Sequence, residues 1–379
     1  MENTQETLLN CEQLKDSQVK RQGGLDVFRI ISMLMVVVHH VILHGGLLWT
    51  RVGSFNFYIV AFLETLCIIA VNCFALTSGF LNADKKIKIK NILNLYLQVL
   101  FFSVALGVGY LIFSKEKISL GAILKICLPI ASNQYWYFSS YFLLFLFMPL
   151  LNIILNKADK KFLFVVIVFA VLFFGIYGFL GSYKFADAFS LKYGYSTIWL
   201  AILYVLGGVI KKLNIFLKLK SYVWGILFVV STLLSFVVLV VMQKLKGNGV
   251  SFISSYCFLF NILSSCFLLT FFARVKIKPS KFLSVIAQCA FGVYLLHDNN
   301  YVRSAFITGK FAFLSDKSSL VLLLGVLGSA IAIFVIGTIV EFIRRLVFKL
   351  IRINKLTELI DNVLVKLYNK ITIKEETIE

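Results

Sequence analysis

An all-α bundle of about ten membrane-spanning helices is the fold class this sequence predicts, and three observations predict it. Of its 379 residues 60% are apolar and only 15% charged, with a mean hydropathy of +0.90, more apolar surface than a water-soluble domain can hide. Apolar runs near the roughly 20 residues needed to cross a hydrocarbon core recur along the chain. Basic clusters separate alternate pairs of those runs: DKKIKIK, NKADKK, KKLNIFLKLK, RVKIKPSK and RRLVFKLIRINK all fall on one side if the N-terminus is cytoplasmic, the bias the positive-inside rule describes. The formal charge of +20 therefore reads as topology and attraction to anionic lipid rather than nucleic-acid binding. Both termini are expected in the cytoplasm of a multi-pass cell-membrane protein.

Residues 1–23 are expected to form a polar cytoplasmic tail, and the apolar run after them is too long for a secretory h-region, so the first helix, 27–48, stays as an anchor. Further spans are expected at 57–82, 91–113, 135–155, 162–180, 197–213, 222–243, 255–273, 282–299 and 319–341. Between the third and fourth, residues 117–131 (KISLGAILKICLPIA) are too short and interrupted to cross and are expected to lie at the interface or re-enter. The outer connections 114–134, 181–196 and 300–318 are rich in aromatic and polar residues suited to a mouth. Beyond the transmembrane domain, 24–342, alternating basic and apolar residues predict an amphipathic tail, 343–379, along the inner surface. Seven scattered cysteines without a CxxC read as free, buried thiols.

The first span, GLDVFRIISMLMVVVHHVILHGG, carries ionisable groups that lipid does not tolerate without a reason. Arg29 and His40 are eleven residues apart, three turns with about 20° left over, so they share a face with a rise of about 16 Å between them. That places Arg29 at the cytoplasmic rim and His40 near mid-membrane. His39 points roughly 80° away, and Asp26 suits the first turn of the helix dipole. A functional role is the default for His40, against a neutral imidazole that merely bonds another helix. Counting down the second helix from the intervening turn puts Glu64 at a similar depth, where its carboxylate would orient the His40 tautomer. His40 and His44 at i, i+4 form half of a metal site, but no HExxH pattern completes it and no metal is expected.

The blocks LDVFRIISMLMVVVHH, AVNCFALTSGFL, YWYFSSYFLLFLFMPLLN and FGVYLLHDN, in this order on a ten-helix chain, resemble the integral-membrane acyltransferase 3 family, closest to its branch of bacterial surface-polysaccharide O-acetyltransferases. The resemblance implies transfer of an acyl group, usually acetyl, from cytoplasmic acyl-CoA to a carbohydrate hydroxyl of the cell envelope, with no permanently bound cofactor. It implies that His40 is catalytic and that Arg29 lies near the donor. Family members often carry an arginine pair at the start of the third span; KIKIKNILNLYL offers Lys88 and Lys90 instead, point charges for phosphate without the bidentate fork.

Acyl transfer needs a base, donors for a developing oxyanion and a grip on both substrates. His40 is the expected base and Arg29 the phosphate anchor, their separation approximating the reach of a pantetheine arm. Asn72 and Ser78 are candidate oxyanion donors or simply ties between helices. Trp136, Tyr137 and Tyr141 read as a stacking wall for the sugar or as an interface belt. His297 is expected either to bind the acceptor or to cap its helix. A transporter or flippase of lipid-linked sugars is the competing class; it too needs polar groups in the membrane, but not a histidine aligned with a cytoplasmic arginine.

Overall fold

Helix is what these residues form throughout, because lipid leaves every backbone N–H and C=O to be satisfied within its own segment. The computed structural model describes residues 23–114, 119–181 and 187–376; most of the polar tail 1–23, including Cys11, lies outside them. Among the described residues there is no strand. The order is α1 (Gly23–Leu43), α2 (Phe55–Cys67), α3 (Ala70–Asn82), α4 (Ile89–Ser114), α5 (Leu120–Cys127), α6 (Trp136–Lys157), α7 (Lys160–Gly181), α8 (Thr197–Lys212), α9 (Ile215–Lys218), α10 (Ser221–Lys246), α11 (Gly249–Ile253), α12 (Leu259–Arg274), α13 (Lys281–His297), α14 (Asn300–Phe306), α15 (Ser319–Leu350) and α16 (Ile353–Glu376). Two short 3₁₀ turns, Lys192–Gly194 and Ala312–Asp316, interrupt the connections. Helix occupies every span the sequence predicts. Among the described residues seven stretches are long and apolar enough to cross a membrane by themselves, counting Phe55–Asn82 as one, while Leu259–Arg274 and Lys281–His297 are shorter. The protein is an all-α, multi-pass membrane protein.

The middle of the bundle is set by burial. In α1 and in the α2–α3 stretch 67% of the apolar window is buried within the protein, against 22% in α7, α10 and α15, whose exposed Phe164, Phe169, Val229, Leu324 and Ile336 make a lipid-facing belt. α1 packs against α2, α3, α12, α13 and α15, so a side chain on any of its faces meets protein. α3 and α8 pack backbone to backbone, and the reason is mutual glycine. A Cβ at Gly79 would fall on the Tyr204 carbonyl, and one at Gly207 on the Leu76 carbonyl, so two backbones approach at a distance only small residues allow. Asn152 of α6 locks this layer, donating to the carbonyls of Asn82 (2.9 Å) and Lys85 (3.1 Å) while accepting from Tyr204 (2.8 Å).

Several boundaries differ from the sequence expectation. α1 ends at Leu43 rather than 48: Gly46 takes φ 90°, the His44 and Gly45 amides bond back to the His40 carbonyl at 3.0 and 3.3 Å, and the chain turns away in a glycine stop. His40 is therefore in the last turn of α1. The second span is broken at Ile68–Ile69 into α2 and α3. Residues 255–258, expected as the start of the eighth span, instead form a loop that follows short α11 and leads into α12 at Leu259. The segment 117–131 contributes only α5, tied to α4 where Ser103 donates to the Ile126 carbonyl (2.6 Å). α15 runs on to Leu350, past the expected limit of 342, and α16 packs on α4 through Thr357–Asn94 (3.0 Å) and Lys90–Glu358 (3.3 Å). The described cysteines are free; all are buried except Cys127, which is exposed.

Candidate functional site

The last turn of α1 and the residue just beyond it present three histidines, and each meets different chemistry. His40 Nδ1 lies 2.9 Å from His297 Nε2, and His297 Nδ1 lies 2.6 Å from the Val293 carbonyl one turn back on α13. A carbonyl only accepts, so His297 carries its proton on Nδ1 and, as a neutral ring, must accept at Nε2. His40 then donates from Nδ1, and its Nε2 keeps the lone pair. The tautomer of His40 is thus set by a relay ending on backbone. His44 packs edge-on against His40 with ring centroids 5.0 Å apart.

Glu64, expected beside His40, is the partner of His39 instead. His39 Nδ1 donates to its Oε1 at 2.8 Å and Oε2 at 3.0 Å, with both residues buried. The hairpin count was right in depth but silent on azimuth: α2 packs on the flank of α1 that carries His39, roughly 100° around the helix from His40. The carboxylate nearest His40 is Asp298, whose Oδ1 is 3.7 Å from Nδ1 and also accepts from Arg303 at 2.7 Å. Ligand atoms of His40, His44 and Asp298 lie within 4.8 Å of one another, while His40 Nδ1 and Asp298 Oδ1 are already engaged by His297 and Arg303.

Two cavities lie along α1, one at its last turn and one at the level of Arg29. The smaller, about 90 Å³, is lined by His39, His40, Cys67, Ile68, Ala70, Trp136, Tyr137, Tyr256 and Tyr294 among others, so the break between α2 and α3 forms part of its wall. Trp136 stacks on Tyr256 (centroids 6.0 Å, planes 17° apart) and leans on Tyr195 (4.5 Å), closing it with aromatic rings. The larger, about 260 Å³, is lined by Arg29, Thr77, Ser78, Asn82, Tyr141 and Gln288 with apolar neighbours. Phe74, Tyr137 and Phe291 line both. These three rings therefore border both the chamber of Arg29 and that of His40.

The remaining expected residues fall as follows. Ser78 and Tyr141 bond each other at 2.9 Å in the Arg29 chamber, so the aromatic wall expected at Trp136, Tyr137 and Tyr141 is divided between the two chambers. Asn72 is not at either cavity: its amide donates to the Tyr256 carbonyl (2.8 Å) and accepts from Trp199 Nε1 (3.0 Å), which makes it a tie between helices. His297 is engaged with His40 and Val293 and does not line the chambers. Lys88 is exposed and Lys90 turns to Glu358, so neither reaches the Arg29 chamber. Near that end stands a different basic group, where Lys211 pairs with Asp84 at 2.5 Å. Burial, Lys211 and Arg29 together hold the Lys85 ammonium below its ordinary range, with Asp84 opposing.

Tyr256, Gln288, Phe291 and Arg303 are site residues for which the sequence predicts no individual role; the HDNN run closing α13 signals only Asp298, expected with His297 to bind the acceptor and here paired with Arg303. A model of an acyltransferase domain, Acyl_transf_3, matches residues 22–342. No curated protein and no solved structure matches the chain.

Proposed function

The chain belongs to the acyltransferase 3 family and is a membrane acyltransferase, and on that premise we propose that it moves a short acyl group, acetyl by preference, from acyl-CoA to a hydroxyl of an envelope or exported polysaccharide. The observation that carries the reading is the pair of chambers along α1. One contains the arginine, the other the histidines, and Phe74, Tyr137 and Phe291 are common to both. In this reading the Arg29 end faces the cytoplasm and takes the donor, whose pantetheine arm runs along α1 for the rise of about 16 Å to His40. Arg29, Lys85 and Lys211 are the cations available to the donor phosphates.

His40 is the general base. Its Nε2 takes the proton of the incoming hydroxyl as oxygen attacks the thioester carbonyl. The smaller chamber suits an acyl end rather than a sugar ring, so the acceptor approaches from the side of Trp136 and Tyr195 and engages only its hydroxyl. Asn72 has no free role as oxyanion donor, and the tyrosines on the chamber wall take that place in the proposal.

The test uses the purified chain in nanodiscs with radiolabelled acetyl-CoA and candidate polysaccharides. Label should pass to carbohydrate with the wild type. It should fall by about 10² to 10⁴ with His40→Gln, the usual worth of a general base. Arg29→Ala should raise KM for acetyl-CoA by about 10- to 100-fold, the worth of one charged hydrogen bond. No transfer from any acyl-CoA would sink the reading and favour a flippase or transporter; transfer undiminished by either substitution would sink the mechanism.

A further inference from the structure

Resting on the acyl-transfer reading, we propose that His39, held by Glu64, is a second catalytic residue: the general acid that protonates the departing thiolate while His40 takes the acceptor proton. Adjacent residues on a helix point about 100° apart, so a pair of histidines ordinarily serves two different places. Here both line one cavity, with ring centroids 5.4 Å apart.

Their partners differ in charge. Both oxygens of Glu64 face His39 Nδ1, at 2.8 and 3.0 Å, so a proton added to that ring completes a buried ion pair. His40 Nδ1 faces the neutral His297 at 2.9 Å, and its nearest carboxylate, Asp298, is 3.7 Å away and already balanced by Arg303. One ring is therefore built to begin the cycle with a proton to give, the other with a lone pair to receive one. In both rings Nδ1 is the nitrogen engaged, which leaves the two Nε2 atoms for substrate.

The step balances. The acceptor oxygen bonds to the thioester carbon and its proton goes to His40 Nε2. The tetrahedral intermediate then collapses, the C–S bond breaks, and sulfur takes the proton from His39 Nε2. Ester and free thiol are released, and one proton passes from His40 to His39 across the cavity to restore the starting state.

A general acid matters most when the leaving thiol is poor. The experiment compares S-ethyl thioacetate with S-phenyl thioacetate, neither carrying the nucleotide, as donors to the same carbohydrate in nanodiscs. His39→Gln should lower kcat/KM for the ethyl thioester by about 100-fold or more and for the phenyl thioester by less than about tenfold, whereas His40→Gln should lower both alike. Glu64→Gln keeps a hydrogen-bond acceptor beside His39 but removes the charge, and should reproduce the same selective loss if the His39 variant does not fold. Equal loss of both donors in His39→Gln or Glu64→Gln, or no loss in either, would overturn the assignment. A wild type inert toward acetyl-CoA and both thioesters would instead strike at acyl transfer itself.

Discussion

His40 owes its proposed reactivity to residues that do not touch substrate. His297 accepts from its Nδ1 and is itself held by the Val293 carbonyl, so removing the second ring frees the first to flip or to take the other tautomer. His297→Ala should lower kcat without raising KM for acyl-CoA. The loss should stay below the roughly 10⁴-fold upper range for deleting a general base outright, because His40 remains present but less often in the productive form. Steady-state kinetics with acetyl-CoA varied at saturating acceptor checks this; an altered KM with constant kcat would instead place His297 on the donor. The same residue scale explains why Glu64 meets His39 and not the His40 that residue counting predicts. Sequence separation fixes how far along two antiparallel helices a pair sits, but which of two consecutive side chains faces the partner depends on a rotation that only packing decides.

At the scale of elements, α3 and α8 carry the largest demand for small residues. Gly79 and Gly207 lie against each other's helix at carbonyl groups, and a methyl at either position must push two backbones apart. Gly207→Ala should cost about 1–3 kcal/mol, as overpacking does, and lower the melting temperature in detergent. Gly109, whose added Cβ would meet nothing within 4 Å, should accept alanine with no such drop and serves as the control. α15 shows a feature hidden in plain sight in EFIRR. Glu341 and Arg344 are both buried and joined by hydrogen bonds of 2.8 and 2.7 Å, with Arg344 over the Phe348 ring at 4.3 Å. From sequence the transmembrane domain ends at 342 and Arg344 falls in the expected surface tail, because a charged run read alone is indistinguishable from a solvated one. Its burial comes from α13, where Gly292 opens the space that the Glu341 side chain fills.

For the whole molecule, the charge bias predicts an orientation that can be measured. With the Arg29 end inside, a cysteine at Lys310 should react with a membrane-impermeant maleimide in intact cells. A cysteine at Lys88 should react only after permeabilisation, both on a background with the native cysteines replaced. The reverse pattern would invert the donor and acceptor sides and remove the proposed route for acyl-CoA. The apolar belt on α7, α10 and α15 and the buried α1–α3 core divide the bundle into a frame that faces lipid and a centre that holds the chemistry. Such a division is what the expense of intramembrane polar groups requires.

Composition, run length and the placement of lysine and arginine were enough to determine an all-α membrane bundle and the location of its helices. Helical arithmetic put Arg29 and His40 on one face, because hydrophobic transfer and the 3.6-residue turn act locally and need no knowledge of neighbours. What only the tertiary structure decided is who meets whom. It gave Glu64 to His39, His297 to His40 and Ser78 to Tyr141, spent Asn72 on Trp199 and Tyr256, and ended α1 between His40 and His44. Those pairings depend on the rotation and offset of whole helices, set by many small contacts summed across the bundle, and no single stretch of chain carries that sum.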